Sequence, residues 1–318
     1  WQNFSVLDPA WRLSYSRVYM HTPGLRQQLT DRIRRSYRPL LPQAVDAAQQ
    51  LTAMSDILCV AFDVYGTLLI SGAGELAAGS GAAEVDDRSR RDAWEAVAAE
   101  LGLHAPAAPG ELAAAWKTAL ADAHRRARRA GRVQPEVDVR SLWSEIAREQ
   151  APDWQGRPAA DELALAYELA ANPTALMPGA RETVDALRAA GVQLAIVSNA
   201  QFYTPLILET LTDCPIEELI PGPRIWSWEL GAAKPDPLLF QRLLAELAAG
   251  GIEPEQTLYV GNDMLNDVMA AATAGVRTAL FAGDGRSLRL RSGDPRVAGV
   301  LPDAVVTRLD QIPALIAS

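Results

Sequence analysis

The chain has 318 residues, 49% of them hydrophobic, enough to bury the core of one large domain or two modest ones, so disorder is excluded as the default state. A formal charge of −9 and a pI near 5.0 exclude a general affinity for nucleic acid or anionic membrane, because both reward a basic surface. No run approaches the ~18 consecutive apolar residues a membrane span needs. The two cysteines, Cys59 and Cys214, lie far apart without C-x-x-C or Cys/His spacing, which excludes a disulfide framework or a zinc site and suits a reducing cytoplasm.

Residues 1–56 hold seven Arg against four Asp and read as a basic, helical N-terminal extension interrupted by Pro39 and Pro42. Trp1 to Leu7 lack the basic-then-apolar order of a signal peptide, and a start without methionine suits a fragment or a processed chain. From Ile57 to Phe62 the run ILCVAF is continuously apolar and β-rich, as expected of a central parallel strand buried on both faces. After Leu69 comes a Gly- and Ala-rich loop, then helical spacing over 93–101, 111–130, 139–148 and 161–171 with no strand. From Met177 onward helices and strands alternate: helix 180–190, strand 192–197, helices 205–212 and 237–249, strand 257–260, helix 266–274, and strands 278–281 and 304–306. Repeated βα units predict a doubly wound parallel sheet, with ligands beyond the carboxyl ends of its strands. The expected organisation is an α/β core over 57–70 and 176–318, a helical insert over 71–175 and the extension 1–56.

Four polar groups fall at those strand ends. Asp63 in Asp63-Val64-Tyr65-Gly66-Thr67-Leu68 closes ILCVAF, where Gly66 allows a tight turn; taken alone, it is as well explained as a turn cap. Ser198 and Asn199 follow the second strand and can donate to an anionic group, although such a pair is more often a helix cap. Lys234, in Gly231-Ala-Ala-Lys-Pro-Asp-Pro, is one of two lysines among thirty basic residues; a compact ammonium suits a site that neutralises a carboxylate and a bound anion together. Gly261-Asn262-Asp263-Met264-Leu265-Asn266-Asp267 collects oxygens suited to magnesium, or merely starts a helix with acids.

In combination and order, these motifs resemble those of the haloacid dehalogenase superfamily over about residues 57–316. The resemblance implies a Rossmann-type core with a helical first-type cap that closes over the cleft, and a nucleophilic Asp63 that forms a covalent aspartyl ester. It implies that Ser198, Asn199 and Lys234 hold the transferring group. Mg2+ would be bound by Asp63, the backbone carbonyl of Tyr65 and an oxygen from Asn262, Asp263 or Asp267. The first expectation is a magnesium-dependent phosphatase of a small anionic phosphate. Tyr65 departs from it: the family's phosphatases carry an aspartate there as acid and base, and a phenol of ordinary pKa near 10 exchanges protons poorly at neutral pH. Dehalogenases share Asp-x-Tyr-Gly-Thr-Leu and keep a metal-independent reading open, yet the tyrosine they place after the lysine is here Phe240, and Arg90 or Arg91 stands in for their arginine segment only by conjecture. Residues 1–56 leave open a third class, a binding or assembly protein whose partner docks on the extension. Arg125, Arg126, Arg128, Arg129 and Arg132 read as a solvated face before a steering patch. Trp226 and Trp228 read as packing before cleft lining.

Overall fold

The computed structural model describes residues 23–74, 87–101, 109–150 and 160–316. A six-stranded sheet runs in the order β5-β4-β1-β6-β7-β8, and every pairing in it is parallel. Its strands are β1 (Cys59–Phe62), β4 (Gln193–Ser198), β5 (Arg224–Trp226), β6 (Thr257–Gly261), β7 (Arg277–Phe281) and β8 (Ala304–Val306). β1 lies in the middle because its residues are apolar on both faces. Val60 and Phe62 join one hydrophobic cluster with Val184, Leu206 and Ile312, whereas Cys59 and Ala61 join another with Leu239, Leu243 and Ala271. The chain winds outward from β1 through β4 to β5, then returns to β6 on the other side. That reversal opens a crevice at the carboxyl ends of β1, β4 and β6.

Two elements escape the periodicity of the sequence. β5 is only three residues, RIW, too short for a pattern, and it pairs with β4 through Ile196↔Arg224 and Ser198↔Trp226. The antiparallel hairpin of β2 (Leu69–Ser71) and β3 (Thr174–Leu176) joins segments about a hundred residues apart, a pairing no local window reveals. Between those strands lie four helices, Asp87–Leu101, Pro109–Arg129, Val139–Gln150 and Ala160–Ala171, packed around stacked rings of Trp94, Trp143, Tyr167 and Trp116. Arg125, Arg126, Arg128, Arg129 and Arg132 are all exposed, as a solvated face requires. Trp226 is buried, and half-buried Trp228 packs against the same cluster. Cys59 and Cys214 are buried free thiols, and burial pushes Cys59 up to about 12.

The helix Pro23–Ser36 buries Leu29 and Ile33 in the chain's own core. Its Arg26 pairs with Glu209 at 2.5 Å, and its buried Arg32 with Glu162 at 3.2 Å. The apolar side of this part of the extension is thus covered by the chain itself. Residues 1–22 lie outside the described residues, as does most of the loop after Ser71. Residues 37–56 show no regular helix, contrary to the expectation for the extension. They run along the far edge of the sheet, where Gln50 and Val305 exchange two backbone hydrogen bonds of 2.9 Å.

Candidate active site

The loops after β1, β4 and β6, and the loop that carries Lys234, meet at the crevice. Asp63 follows β1, its amide donating to the Val260 carbonyl at 2.9 Å, so the acid is fixed to the end of the sheet. Gly66 turns the loop with φ +83°, and a side chain there would put a Cβ 2.6 Å from the Asn262 amide nitrogen. Only glycine serves both the left-handed backbone and that close approach. Gly261 makes room in the same way for the Asp267 carboxylate, whose Oδ2 would lie 2.5 Å from a Cβ.

Lys234 draws the site together. Its Nζ donates to Asp63 Oδ1 at 2.7 Å, to Asp267 Oδ1 at 2.6 Å and to the Tyr259 hydroxyl at 2.9 Å. All four residues are almost fully buried. Two carboxylates around one ammonium leave the cluster with a formal charge of −1, which burial penalises, and burial is the main force pushing Asp267 up to about 6 while Lys234 opposes it. The same two carboxylates raise the Lys234 pKa against the opposing effect of burial.

Asn199 and Ser198 act differently from one another. The Asn199 side chain accepts from the Lys234 backbone N–H at 2.7 Å and donates back to its carbonyl at 3.4 Å, so it clamps the lysine loop to the end of β4. Ser198 is fully buried, and its hydroxyl donates to the Asn199 carbonyl at a long 3.2 Å. Tyr65 turns its hydroxyl to the Thr204 hydroxyl, 3.2 Å away. Burial first, then the nearby Glu168 carboxylate, hold that phenol well above its usual range, so it stays protonated at neutral pH.

The acids of the fourth loop are largely committed. Asp263 caps the helical turn Met264–Met269, accepting from Leu265 N at 2.8 Å and Asn266 N at 3.2 Å, and it pairs with Arg291 at 2.6 Å. Asp267 uses Oδ1 on Lys234 and Oδ2 on the Asp263 amide at 2.9 Å. Asn262 accepts from the Thr67 hydroxyl at 3.2 Å and donates to the Ser287 carbonyl at 2.6 Å. Among the described residues no group of three or more His, Cys, Asp or Glu side chains could hold a metal ion. Lys234 engages Asp63 through Oδ1, and the neutral amide oxygen of Asn262 accepts its bond from Thr67. One carboxylate with neutral oxygens fits a magnesium ion that keeps its waters and shares a substrate's phosphate, and does not make a closed cage.

Tyr259, Thr204, Ser287 and Arg291 are not evident as site residues in the sequence. Tyr259 left the clearest trace, as a phenol inside the otherwise apolar strand TLYVG. Phe240, where dehalogenases carry a tyrosine, packs its ring edge-on against Tyr259 at 4.9 Å. Arg91 is exposed, and the side chain of Arg90 lies outside the described residues.

The doubly wound sheet gathers an acid, an amide clamp, an ammonium and an acidic loop into one crevice. The chain belongs to the haloacid dehalogenase-like hydrolases, whose family model matches residues 57–275. It is 31% identical over 156 residues to a phosphoglycolate phosphatase of Pseudomonas fluorescens, covering 46% of this chain and 52% of that one. It is also 31% identical over 107 residues to a haloacid dehalogenase-like hydrolase domain-containing protein 3 of Xenopus laevis, covering 34% of this chain and 41% of that one. The chain thus spans about half the length, or less, of these curated relatives. The crystal structure of a 2-haloacid dehalogenase from Pseudomonas syringae aligns with 81% of this chain and 97% of its own, at 19% identity and TM-score 0.49. No described helix is long and apolar enough to cross a membrane.

Proposed function

We propose that the chain is a phosphatase of small organic phosphates in which the Asp63 carboxylate attacks phosphorus. The observation that carries this reading is the buried contact of Asp63 with Lys234 at 2.7 Å, at the carboxyl end of the central strand. An ammonium there draws in an anionic substrate. Asp63 forms an acyl phosphate as the ester oxygen leaves, and water then releases phosphate and restores the carboxylate. Asn199 keeps Lys234 in place by gripping its peptide, and the Ser198 hydroxyl is close enough to the same strand end to be re-aimed at a phosphoryl oxygen. The four helices between β2 and β3 serve as the cap that excludes water and sets substrate choice. Asp63, the Tyr65 carbonyl and Asn262 would hold Mg2+, which when bound supplies positive charge against the phosphoryl oxygens. Asp263 and Asp267 would support that site from outside it, because Arg291 and Lys234 hold their carboxylates. The 31% identity over 156 residues to a phosphoglycolate phosphatase supports a small phosphorylated acid as substrate. The two buried free thiols suit the cytoplasm.

A second reading is favoured by Tyr65. With its hydroxyl held by Thr204, no carboxylic acid stands two residues beyond the nucleophile to protonate a leaving group. A halide leaves carbon without a proton, so metal-independent dehalogenation of a 2-haloacid through an ester on Asp63 suits the same site.

Turnover of p-nitrophenyl phosphate that requires magnesium and vanishes in Asp63→Asn is the expected result. Metal-independent chloride release from 2-chloropropionate, with no phosphate release, would replace the first reading by the second. Loss of neither activity in Asp63→Asn would remove Asp63 as nucleophile in both.

A further inference from the structure

Lys234 has three N–H bonds and no lone pair, and three acceptors are in place around it. Two are the carboxylates of Asp63 and Asp267, and the third is the Tyr259 hydroxyl at 2.9 Å. The direction of the phenol follows from its surroundings. Its single proton has two acceptors in reach, the Val197 carbonyl at 2.6 Å and Asp267 Oδ1 at 3.2 Å. The shorter bond takes it, which turns the oxygen's lone pairs toward the ammonium. Val197 is the residue before Ser198, so this one hydroxyl joins the end of β4, the lysine and the acidic loop after β6. The ring cannot swing away: it is 1% exposed, in the interior of β6, with Phe240 edge-on against it.

We propose that Tyr259 is a positioning residue that seats the Lys234 ammonium between Asp63 and Asp267, and that it acts on the reaction through that lysine. Its importance for catalysis rests on Asp63 being the nucleophile. Without the phenol oxygen, the third N–H of Lys234 has to share a carboxylate already in use, and a four-carbon side chain with free torsions shifts to do so. A misplacement of about 1 Å at a catalytic group can cost about a hundredfold in rate. The effect falls on kcat, since Tyr259 lies behind the lysine and touches no substrate.

The chain offers a direct probe, because Lys117 and Lys234 are its two lysines and Lys117 is exposed. Protein grown on 15N-lysine gives two ammonium signals. In the wild type the Lys234 protons should exchange slowly with water and show an Overhauser contact to the Tyr259 ring. In Tyr259→Phe the Lys234 signal should shift and its exchange should accelerate, while Lys117 stays unchanged. On whichever of p-nitrophenyl phosphate or 2-chloropropionate the wild type turns over, kcat should fall about tenfold to a hundredfold, with KM changed less than about threefold and thermal midpoint within a few degrees. Absence of the Overhauser contact, an unmoved Lys234 signal, or an unchanged kcat each overturns the proposal. If the wild type turns over neither substrate, the functional reading fails, and the two resonances still decide whether Tyr259 holds the lysine.

Discussion

Tyr65 separates this site from one built for general-acid catalysis. Its phenol is raised by burial, faces Thr204 and keeps its proton at neutral pH. On the proposed phosphatase reading a phosphate ester has to expel its leaving group as the anion, so rates should fall steeply as leaving-group pKa rises: p-nitrophenyl phosphate should be turned over far faster than an alkyl phosphate. Tyr65→Asp, which supplies an exchangeable proton, should flatten that dependence and raise the alkyl phosphate rate by about a hundredfold or more, the usual range for general acids. A series of aryl and alkyl phosphates measures both slopes. Asp267 makes a second prediction. Burial lifts its pKa from 3.8 to about 6 despite Lys234, so the folded chain holds this proton more tightly than the unfolded one. Its contribution to stability is complete below about pH 4 and is lost as pH rises through about 6. Asp267→Asn lacks that titration, so the stability of wild type relative to the variant should decline from pH 4 to pH 6.5 in urea unfolding, and a flat difference would contradict it.

The segment between two insert helices fastens the insert to the loops of the candidate site. Ala233 N donates to the Gln134 carbonyl at 2.8 Å and Glu136 N to the Gly231 carbonyl at 3.3 Å, on the residues just before Lys234. The buried Glu136 side chain accepts from Ser227 Oγ at 3.0 Å and from Val137 N at 3.0 Å, and Gln201, three residues after Ser198, donates to it at 3.4 Å. Glu136→Ala should strand the Val137 N–H and cost about 1–3 kcal/mol, while Ser227 Oγ keeps the Ala200 carbonyl at 3.1 Å and Gln201 the Val137 carbonyl at 2.9 Å. Since the same bonds tie the insert to the lysine loop, the variant should also show faster amide exchange over residues 231–236. Exchange unchanged there would mean the insert does not brace the loop.

Across the whole molecule, the extension connects parts of the fold distant in sequence. The helix Pro23–Ser36 ion-pairs with Glu209 on the sheet side and with Glu162 on the last insert helix, while Gln50 and Met54 bond to Val305 and Leu315 at the opposite edge. The bonds to Val305 also cover the open side of β8, which would otherwise offer unpaired backbone groups to another chain. Leu29→Ala and Ile33→Ala, each removing a buried side chain, should cost about 2–5 kcal/mol apiece and lower the urea midpoint. An effect below about 0.5 kcal/mol would show that the helix does not stay packed in solution.

The sequence by itself determined five of the six strands of the main sheet and the catalytic candidates, because both are written locally. ILCVAF is apolar at every position, as a strand covered on two faces must be, and Asp63, Ser198, Lys234 and Asn262 directly follow such strands or open helices. Even the doubt over Tyr65 could be read from its chemistry alone. Tertiary structure decided what engages each of the acids of the fourth loop. Asp263, Asp267 and Asn262 are equivalent as ligands in a string of letters; it is Arg291, twenty-eight residues from Asp263, and Lys234, thirty-three from Asp267, that engage two of them. Asn199 likewise reads as a substrate donor until the Lys234 peptide is found within its reach. Tyr259 reads as core until its hydroxyl meets the ammonium. The fate of the extension was equally out of view, since an amphipathic helix records that it has an apolar face and not whose surface covers it. Hydrogen bonds and ion pairs depend on positions within about 3 Å, and only the fold brings such distant residues that close.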